Sequence, residues 1–509
     1  MPQLRFARAL LFAIVAWPLT ACAEEPPARA RPNVLVIVAD DLRSDAIGPY
    51  ANGPSGYGPS GTGPSHITAA RTPALDRLAA AGTVFRRAVC ANPICVSSRA
   101  EILTGLSTVR VGNDPARLSA LVTSSPRWPQ VMLAAGYRTG YVGKWHTTGR
   151  PSAHGFAESF ALYGGGGGKF PATHATDAHG RPITGYRGWV FQDDAGRPRP
   201  ELGIGLTPNI SERFADGAIE FLNQTDERPF FLHVNFTAPH DPRLLPRGYE
   251  RAYEASRLPL PKNFAADHPF DHGNQGGRDE LLLPRPLTAP MVRDELAVYY
   301  ALVEHMDAQI GRILAALEKR NGPRPTIIVF TSDHGLALGS HGLVGKQNMY
   351  EHTIGVPLIV AGPSVPPGES QTAPCYLRDL YPTICDLCGI PVPTPLDGRS
   401  LKPLFAPNEK SGEKADQKAD NPTGGSNRAR RGPHEFTVGY FGDVQRMIRT
   451  DRWKLIHYPK LNREQLFDLR ADPHELRDRI TDEKLKPVAN ELRAKLREWL
   501  AEHGDAIGN

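Results

Sequence analysis

Four hydrophobic runs constrain the fold of this chain more than any other feature, because each of them ends at charged or imidazole side chains. The runs span residues 34–39, 137–143, 230–236 and 326–330. They lead, in that order, into Asp40-Asp41, Lys144-Trp145-His146, His240 and Asp333-His334. Short runs rich in β-branched residues are typical of strands that are buried on both faces, as in a parallel sheet. Since such sheets place their sites outside the carboxyl ends of the strands, we expect these side chains to meet at one edge.

Segments with helical spacing lie between these runs. Apolar residues recur at helical intervals over residues 210–222 and 296–317, directly ahead of the third and fourth runs. This alternation predicts an α/β fold with a doubly wound, mostly parallel sheet sandwiched by helices. Near the C-terminus, strand-like segments at 436–441 and 452–458 and a helical stretch at 488–500 predict a small α+β subdomain.

The composition is that of a folded protein with a mild positive charge. Of 509 residues, 40% are hydrophobic and 22% are charged, which is enough apolar material for a large core. The net charge of +5 suits an anionic substrate, but it is too small and too dispersed to indicate nucleic acid. We therefore expect no nucleic-acid partner.

The N-terminal residues have the pattern of an export signal. Arg5 and Arg8 precede an apolar stretch at residues 9–16, and Leu19-Thr20-Ala21-Cys22 follows. The last four residues resemble a bacterial lipobox, which would leave a lipid on Cys22, while residues 21–23 also fit ordinary signal cleavage. We expect an exported protein, periplasmic or lipid-anchored at the cell envelope, that contacts a membrane only through a lipid on Cys22.

Three cysteines near the end of the main domain leave their pairing open. Cys385 and Cys388 have a CxxC spacing, but the second pair that a zinc ribbon requires is missing. Cys375 could pair with either of them, since export permits disulfides, or all three could be small buried residues.

Cys95 stands just ahead of a predicted helix. Ser98 and Glu101 have the spacing of a capping box before an apolar stretch, which places Cys95 just before the helix N-terminus. The partial positive charge and free N–H groups at a helix N-terminus favour anions. Elsewhere, Asp40, Asp41 and Asp333 supply hard oxygen ligands, which suit Ca²⁺ or Mg²⁺.

The pattern Cys-x-x-Ser-Arg-Ala-x-x-Leu-Thr-Gly at residues 95–105 resembles the signature of the type I sulfatases, which belong to the alkaline phosphatase-like superfamily. Further segments match motifs of that family in the same order. They lie at residues 33–41, 72–79, 136–146, 238–240, 332–335, 345–346 and 449–473. The resemblance covers most of residues 32–480, and it is the combination of motifs that is specific.

The resemblance implies a formylglycine and a metal. In this family the cysteine, here Cys95, is oxidised to formylglycine by dedicated machinery during export. By resemblance, the metal ligands are Asp40, Asp41, Asp333 and His334, and the formylglycine made from Cys95 completes the shell. One Ca²⁺ per chain is implied, with Mg²⁺ as an alternative, and Mn²⁺ or Zn²⁺ are further alternatives because an imidazole at position 334 softens the site.

The resemblance also implies a mechanism for a sulfuric ester hydrolase. One hydroxyl of the hydrated aldehyde attacks sulfur and expels the alcohol, and the second hydroxyl then loses its proton so that sulfate leaves. Arg99 holds the hydrated aldehyde and the carboxylates, and Lys144 and Lys346 bind sulfate oxygens. His146 orients the diol and removes its proton, while His240, assisted by Lys346, protonates the leaving oxygen.

On this basis the chain divides into five segments. They are a signal peptide or lipobox at 1–22, a tether at 23–31, a catalytic α/β domain at 32–405, a flexible insert at 406–432 and the C-terminal subdomain at 433–509. The expected substrate is an anionic sulfated small molecule or glycan. Two other functions stay open: a phosphonate monoester or phosphodiester hydrolase of the same superfamily, and a non-catalytic binder of sulfated glycans in which Cys95 is unconverted.

Overall fold

A computed structural model describes residues 31–51, 69–165, 169–171, 173–193, 195–320, 322, 324–406 and 432–505. The predicted export signal with Cys22, and nearly all of the predicted insert at 406–432, lie outside the described residues. No helix in the described ranges has both the length and the hydropathy needed to span a bilayer.

The strands and helices follow the predicted alternation. The strands are β1 (Asn33–Ala39), β2 (Gly82–Phe85), β3 (Ala88–Val89), β4 (Arg138–Lys144), β5 (Glu158–Gly165), β6 (Trp189–Gln192), β7 (Pro198–Ile204), β8 (Phe230–Asn235), β9 (Thr326–Ser332), β10 (Leu358–Ala361), β11 (Glu369–Gln371), β12 (Cys375–Tyr376), β13 (Thr437–Phe441), β14 (Gln445–Arg449), β15 (Trp453–Tyr458) and β16 (Arg463–Asp468). The helices are α1 (Gly48–Ala51), α2 (Pro73–Ala80), α3 (Cys95–Thr104), α4 (Pro115–Ser124), α5 (Trp128–Ala134), α6 (Ile210–Asn223), α7 (Ala289–Lys319), α8 (Glu351–Ile354), α9 (Leu380–Leu387) and α10 (Lys486–Glu502).

Within the described residues, ten strands form one large sheet in the order β11-β2-β10-β9-β1-β8-β4-β5-β6-β7. The central strands β9, β1, β8, β4 and β5 are parallel to one another, while β10 pairs antiparallel with β9, β6 with β5 and β7 with β6. The four hydrophobic runs are the strands β1, β4, β8 and β9, so the prediction of a mostly parallel sheet is confirmed.

Strand β1 shows why the sheet needs helices on both faces. Leu35 and Ile37 belong to one buried cluster together with residues of α2, α6 and α7. Val34 and Val36, which point the opposite way, belong to a second cluster with residues of α3, α5 and α9. Successive strand residues face opposite sides of a sheet, so a continuous apolar run requires two covered faces. The doubly wound arrangement is therefore confirmed.

The C-terminal subdomain is a four-stranded antiparallel sheet, β13-β14-β15-β16, with α10 packed on it. Its core contains Leu455, Leu466, Leu492 and Leu496, all of them buried. The predicted α+β subdomain is confirmed, and it has two strands more than the sequence pattern indicated.

The structure also answers the open question about the cysteines of the described residues. Cys90, Cys95, Cys375, Cys385 and Cys388 are all buried and all free. Of the alternatives left open for Cys375, Cys385 and Cys388, the structure therefore shows three small buried side chains.

Candidate active site

The ends of the central strands meet at one edge of the sheet. In the register of the sheet, Val38 of β1 lies opposite Asn235 of β8, and Ala39 lies opposite Ser332 of β9. Lys144 is the last residue of β4, which lies beside β8. The residues just beyond these ends include Asp40, Asp41, His146, His240, Asp333 and His334. The convergence expected from the sequence is therefore what the sheet produces.

A glycine at the end of β4 allows one of these side chains to reach the site. Gly143 has φ of +91°, and a Cβ at this position would lie 2.1 Å from the carbonyl oxygen of Asn235. Only glycine tolerates both the left-handed backbone and so close an approach. The pairing of β4 with β5 shifts register at this point, between Val142 and Lys144. Lys144, directly after the irregularity, has its ammonium group on Asp40.

The helix that carries Cys95 begins earlier than predicted. Its N-cap is Ile94, and Cys95 is its first residue, so Cys95 lies in the first turn and not before it. The capping box predicted from Ser98 and Glu101 does not form. The Ser98 hydroxyl instead donates to the Asp333 carbonyl at 2.7 Å, and the Glu101 carboxylate accepts from the Thr108 N–H at 3.0 Å. These long-range hydrogen bonds override the local capping signal, which makes that prediction wrong.

Four buried side chains form a group that could hold a cation. Asp40, Asp41, Cys95 and His334 each offer one ligand atom, and these atoms all lie within 4.8 Å of one another. The Cys95 sulfur is 3.2 Å from His334 Nε2 and 3.5 Å from Asp40 Oδ1. Two carboxylates with an imidazole and a sulfur atom are a donor set that suits a divalent cation.

Asp333, the remaining predicted ligand, lies at the border of this group. Its Oδ1 accepts the N–H groups of His334 at 3.0 Å and Asp41 at 3.3 Å, and it is 3.7 Å from His334 Nε2. Its Oδ2 accepts from Arg99 Nε at 3.0 Å. Burial and the Asp40 carboxylate raise the pKa of Asp333 to about 6.

Three cations surround the acidic group. Lys346 Nζ is 2.9 Å from Asp41 Oδ1 and 3.5 Å from the Cys95 sulfur. Lys144 Nζ contacts Asp40 Oδ2, and both lysines are buried. Arg99 Nη2 is 3.0 Å from Asp333 and 3.8 Å from Asp40. The three cations offset the three carboxylates, so a divalent cation bound in this group would leave an excess of positive charge that suits an anion.

These cations determine the state of Cys95. Burial alone would raise the pKa of its thiol, but Lys144, Lys346 and His334 outweigh burial and bring the pKa well below its ordinary value. The shift favours the thiolate, the reactive form of cysteine. The pKa of His334 shifts in the opposite direction from that of Cys95. Burial alone would lower it, but Asp333 and Cys95 outweigh burial and raise it to about 9.

The two candidate catalytic histidines differ in their electrostatic environment. Burial lowers the pKa of His146, although the neighbouring Cys95 acts in the opposite direction. For His240, burial acts in the same direction, but the Asp41 carboxylate outweighs it and the pKa is raised. His240 Nε2 is 2.8 Å from Lys346 Nζ, and its Nδ1 is 3.2 Å from Asp241 Oδ1. Two imidazoles with opposite shifts suit opposite roles in proton transfer.

Sequence reasoning missed two residues that the structure places in this site. The Tyr186 hydroxyl donates to Asp40 Oδ2 at 2.8 Å. Asn235 Oδ1 accepts from Arg99 Nη1 at 2.8 Å. Asn235 lies near the end of the third hydrophobic run and is the last residue of strand β8, so its place at a strand end was a usable signal. Tyr186 lies in a loop with no periodicity, and no local pattern marks it.

Comparisons with known proteins agree with this geometry. The family model described as sulfatase matches residues 32–390, and the model described as N-sulphoglucosamine sulphohydrolase, C-terminal, matches residues 434–502. An arylsulfatase of Clostridium perfringens is 29% identical over 506 residues, which cover 94% of this chain and 97% of that protein. The multifunctional alkaline phosphatase superfamily protein PehA of Trinickia caryophylli is 27% identical, over 93% of this chain and 96% of its own length.

A solved structure shows the same fold. It is that of a protein in complex with its substrate D-glucosamine-2-N,6-O-disulfate, and it superposes with a TM-score of 0.70 at 23% identity, covering 94% of this chain and 99% of that one. The family model matches more than half of the chain, in the domain that carries every residue of the site described above. This chain is therefore a member of the sulfatase family, an enzyme with the alkaline phosphatase-like fold.

Proposed function

We propose that this sulfatase releases inorganic sulfate from an alcohol or carbohydrate sulfate ester, and that it uses a formylglycine made from Cys95 together with one Ca²⁺. The position of Cys95 carries the proposal. Its sulfur lies within 4.8 Å of ligand atoms of Asp40, Asp41 and His334, and 3.5 Å from the ammonium nitrogen of Lys346. A nucleophile at this position would stand beside both the cation and the groups that bind an anion.

Asp40, Asp41, Asp333 and His334 would hold the cation. The carboxylates are hard oxygen ligands that favour Ca²⁺ or Mg²⁺, whereas the imidazole of His334 also admits Mn²⁺. A divalent ion there would polarise a sulfate oxygen and acidify a hydroxyl at residue 95. Formylglycine would supply a hydrated aldehyde, which offers one hydroxyl for attack on sulfur and a second for release of the product.

The two buried lysines would bind the sulfate group. Lys144 and Lys346 approach the site from β4 and from the loop that follows β9, and both are buried. As point charges in a region of low dielectric, they stabilise the negative charge that develops on sulfate oxygens in the transition state. Arg99, fixed between Asp333 and Asn235, keeps the carboxylates in position.

The two histidines would move the protons. Burial lowers the pKa of His146, which favours its neutral form, and because this ring lies beside residue 95 it would accept a proton there. His240 holds a proton more firmly because Asp41 raises its pKa, so it can donate that proton from Nε2 to the leaving oxygen. Lys346, 2.8 Å from the same nitrogen, assists this transfer.

The proposed substrate is an anionic sulfated small molecule or glycan. The C-terminal family match and the solved complex with a glucosamine disulfate support a carbohydrate sulfate. We also propose export, to the periplasm or to a lipid anchor on Cys22, because the pattern of residues 1–22 is that of an export signal. The partner that this requires is the machinery that converts Cys95 to formylglycine.

The proposed function can be tested with two matched cysteine variants. Protein from the native host, or from a host with formylglycine-generating machinery, should release sulfate from aryl or sugar sulfates, and mass spectrometry should show an aldehyde at residue 95. Cys95→Ala should abolish turnover and keep the fold. Cys90→Ala is the control, because Cys90 is an equally buried free cysteine. Full activity in Cys95→Ala would end the nucleophile assignment.

A phosphonate monoester or phosphodiester hydrolase is a second candidate, because PehA is described as a multifunctional protein of the alkaline phosphatase superfamily and a solved phosphonate monoester hydrolase of Silicibacter pomeroyi has a similar fold. Tetrahedral sulfate and phosphate groups differ mainly in charge, so one arrangement of cation and nucleophile can act on both. The ratio of kcat/KM for an aryl sulfate to that for an aryl phosphonate monoester separates the two functions. A ratio below one would favour the second candidate.

A further inference from the structure

Two aromatic residues beside the site, Tyr186 and Trp189, are given no part by the proposed function. Their ring centroids are 4.9 Å apart, with the planes at 70°, and the Trp189 N–H donates to the Tyr186 carbonyl at 3.1 Å, which closes a tight turn. Both side chains are half-buried, whereas Lys144, His240 and Lys346 are buried. We refer to Tyr186 and Trp189 as the aromatic wall, because both rings are partly exposed and each contacts a catalytic histidine.

The aromatic wall touches both catalytic histidines. The Tyr186 ring packs edge-on against His240, with centroids 4.8 Å apart and planes at 85°. The Trp189 ring packs edge-on against His146, with centroids 5.2 Å apart and planes at 87°. The proposed function places these two histidines on either side of the transferred sulfate. The wall therefore runs from the nucleophile side of the site to the leaving-group side.

The position of the wall is maintained against a backbone cost. Tyr186 has φ of +56°, a left-handed conformation that is unfavourable for an aromatic residue by about 1–3 kcal/mol. Two interactions hold it there: the hydroxyl bond to Asp40 at 2.8 Å, and the ammonium group of Lys144, 5.1 Å from the ring centroid. From behind, Tyr163 supports Trp189, with centroids 5.6 Å apart. The rings are thus fixed before a substrate arrives.

We propose that the aromatic wall binds the alcohol part of the substrate, and that this alcohol carries a rigid ring with an apolar face, either an aryl ring or a pyranose. The inference rests on the proposed function, which places the leaving oxygen at His240. The carbon atoms next to that oxygen then lie within van der Waals reach of a Tyr186 ring that is itself in contact with His240. A ring in this position extends naturally toward Trp189, and aromatic side chains bind flat apolar faces at little cost in conformational entropy.

Binding measurements on Cys95→Ala test this without any need for turnover. Calorimetry would compare an aryl ester (4-nitrophenyl sulfate), a sugar ester (glucose 6-sulfate) and a small acyclic ester (ethyl sulfate). Adding Trp189→Ala should weaken at least one ring ester about tenfold and leave ethyl sulfate within about twofold. Trp189→Phe should restore most of the loss. Arg187→Ala, an exposed residue of the same turn, is the matched control and should change nothing.

The outcomes separate the two ring types from the alternatives. The ester that loses affinity identifies the ring as aryl or sugar. An equal loss for all three esters, an unchanged affinity for both ring esters, or no measurable binding of either would overturn the assignment. The assignment would also be overturned if Trp189→Ala weakened the binding of choline sulfate more than that of the ring esters, because the aromatic wall would then hold a quaternary ammonium group. Sulfate release by the wild-type protein tests the proposed function independently, since it does not depend on which ester is preferred.

Discussion

A cluster of four histidines beside the C-terminal subdomain, three of them buried and one half-buried, makes part of the stability of this protein depend on pH. The cluster consists of His268, His272, His341 and His352. The rings of His268 and His272 are 5.4 Å apart, those of His341 and His352 are 5.7 Å apart, and Tyr350 lies close to three of the four. The His272 carbonyl accepts from Gln445 Nε2 of β14 at 2.9 Å, which links the cluster to the subdomain.

His272 gives the clearest prediction, because it is only 1% exposed and neither of its ring nitrogens has a hydrogen-bond partner among the described residues. Burial, and to a lesser extent His268, lower its pKa from 6.5 to about 3. The folded state therefore binds fewer protons than the unfolded state between these values, so stability is lost as the pH falls below 6.5. Below pH 6.5 the unfolding free energy falls by about 1.4 kcal/mol per pH unit. Lowering the pH from about 7 to about 5 covers about 1.5 units of that range, so the loss is about 2 kcal/mol.

Replacing His272 with Phe isolates this contribution. The difference in unfolding free energy between about pH 7 and about pH 5 should be about 2 kcal/mol smaller in His272→Phe than in the wild type, measured by urea unfolding. The wild-type curve alone is not a test, because two buried acids act in the opposite direction. Burial raises the pKa of Glu475 to about 7 and that of Asp307 to about 6, so each contributes to the protein a stability that grows as the pH falls. His174→Phe, in the loop ahead of β6, is the control. An identical pH dependence in His272→Phe and the wild type would refute the reasoning.

Four further outcomes are expected at the site. Asp333→Asn should lower the calcium content of the purified protein, as measured by elemental analysis; an unchanged content would exclude Asp333 as a ligand. Lys346→Ala should lower kcat/KM for a sulfate ester by about a hundredfold or more, because it removes a charge from the transition state; a change only in KM would point to ground-state binding alone. Asn235→Ala should lower kcat by about tenfold and also lower thermal stability modestly, since the buried Arg99 guanidinium and His233 ring each lose a hydrogen-bond partner. A chelator should abolish turnover and Ca²⁺ should restore it; restoration by Mn²⁺ but not by Ca²⁺ would reassign the metal.

The parallel centre of the sheet could be predicted because burial on both faces leaves a strong trace in the local sequence. Strands β1, β8 and β9 are largely buried on both faces and rich in consecutive apolar residues, while the buried β4 combines Tyr141 and Val142 with glycines. The outer strands carry no such trace. Strand β7 begins at Pro198 and includes Arg199 and Glu201, and most of its residues are half-buried or exposed. An edge strand needs little hydrophobic surface, and its existence depends on the neighbour with which it pairs.

The candidate site was predictable to the same extent and for the same reason. Residues that directly follow a strand, such as Asp40 and Asp333, are brought together by the topology of the sheet alone. Tyr186 is not, because a left-handed turn in a long loop brings it back to Asp40. Ser98 shows the opposite failure: its local spacing fits a capping box, but its hydroxyl bonds to a carbonyl 235 residues away along the chain. A local sequence pattern predicts hydrogen bonds between nearby residues, but it cannot show that a residue distant in the chain offers a better acceptor in the folded protein.

The charges around residue 95 give a physical reason for replacing its thiol. Burial would raise the pKa of Cys95, but Lys144, Lys346 and His334 outweigh it and lower the pKa well below its ordinary value, so they favour the negatively charged thiolate over the neutral thiol. That charge occupies the position from which the same lysines would have to bind an anionic sulfate group, and two anions cannot share those ammonium groups without a large Coulomb cost. Under the proposed function, an aldehyde and its hydrate are neutral. Conversion of Cys95 would therefore remove a negative charge from beside Lys144 and Lys346, and these two ammonium groups could then interact with the anionic substrate.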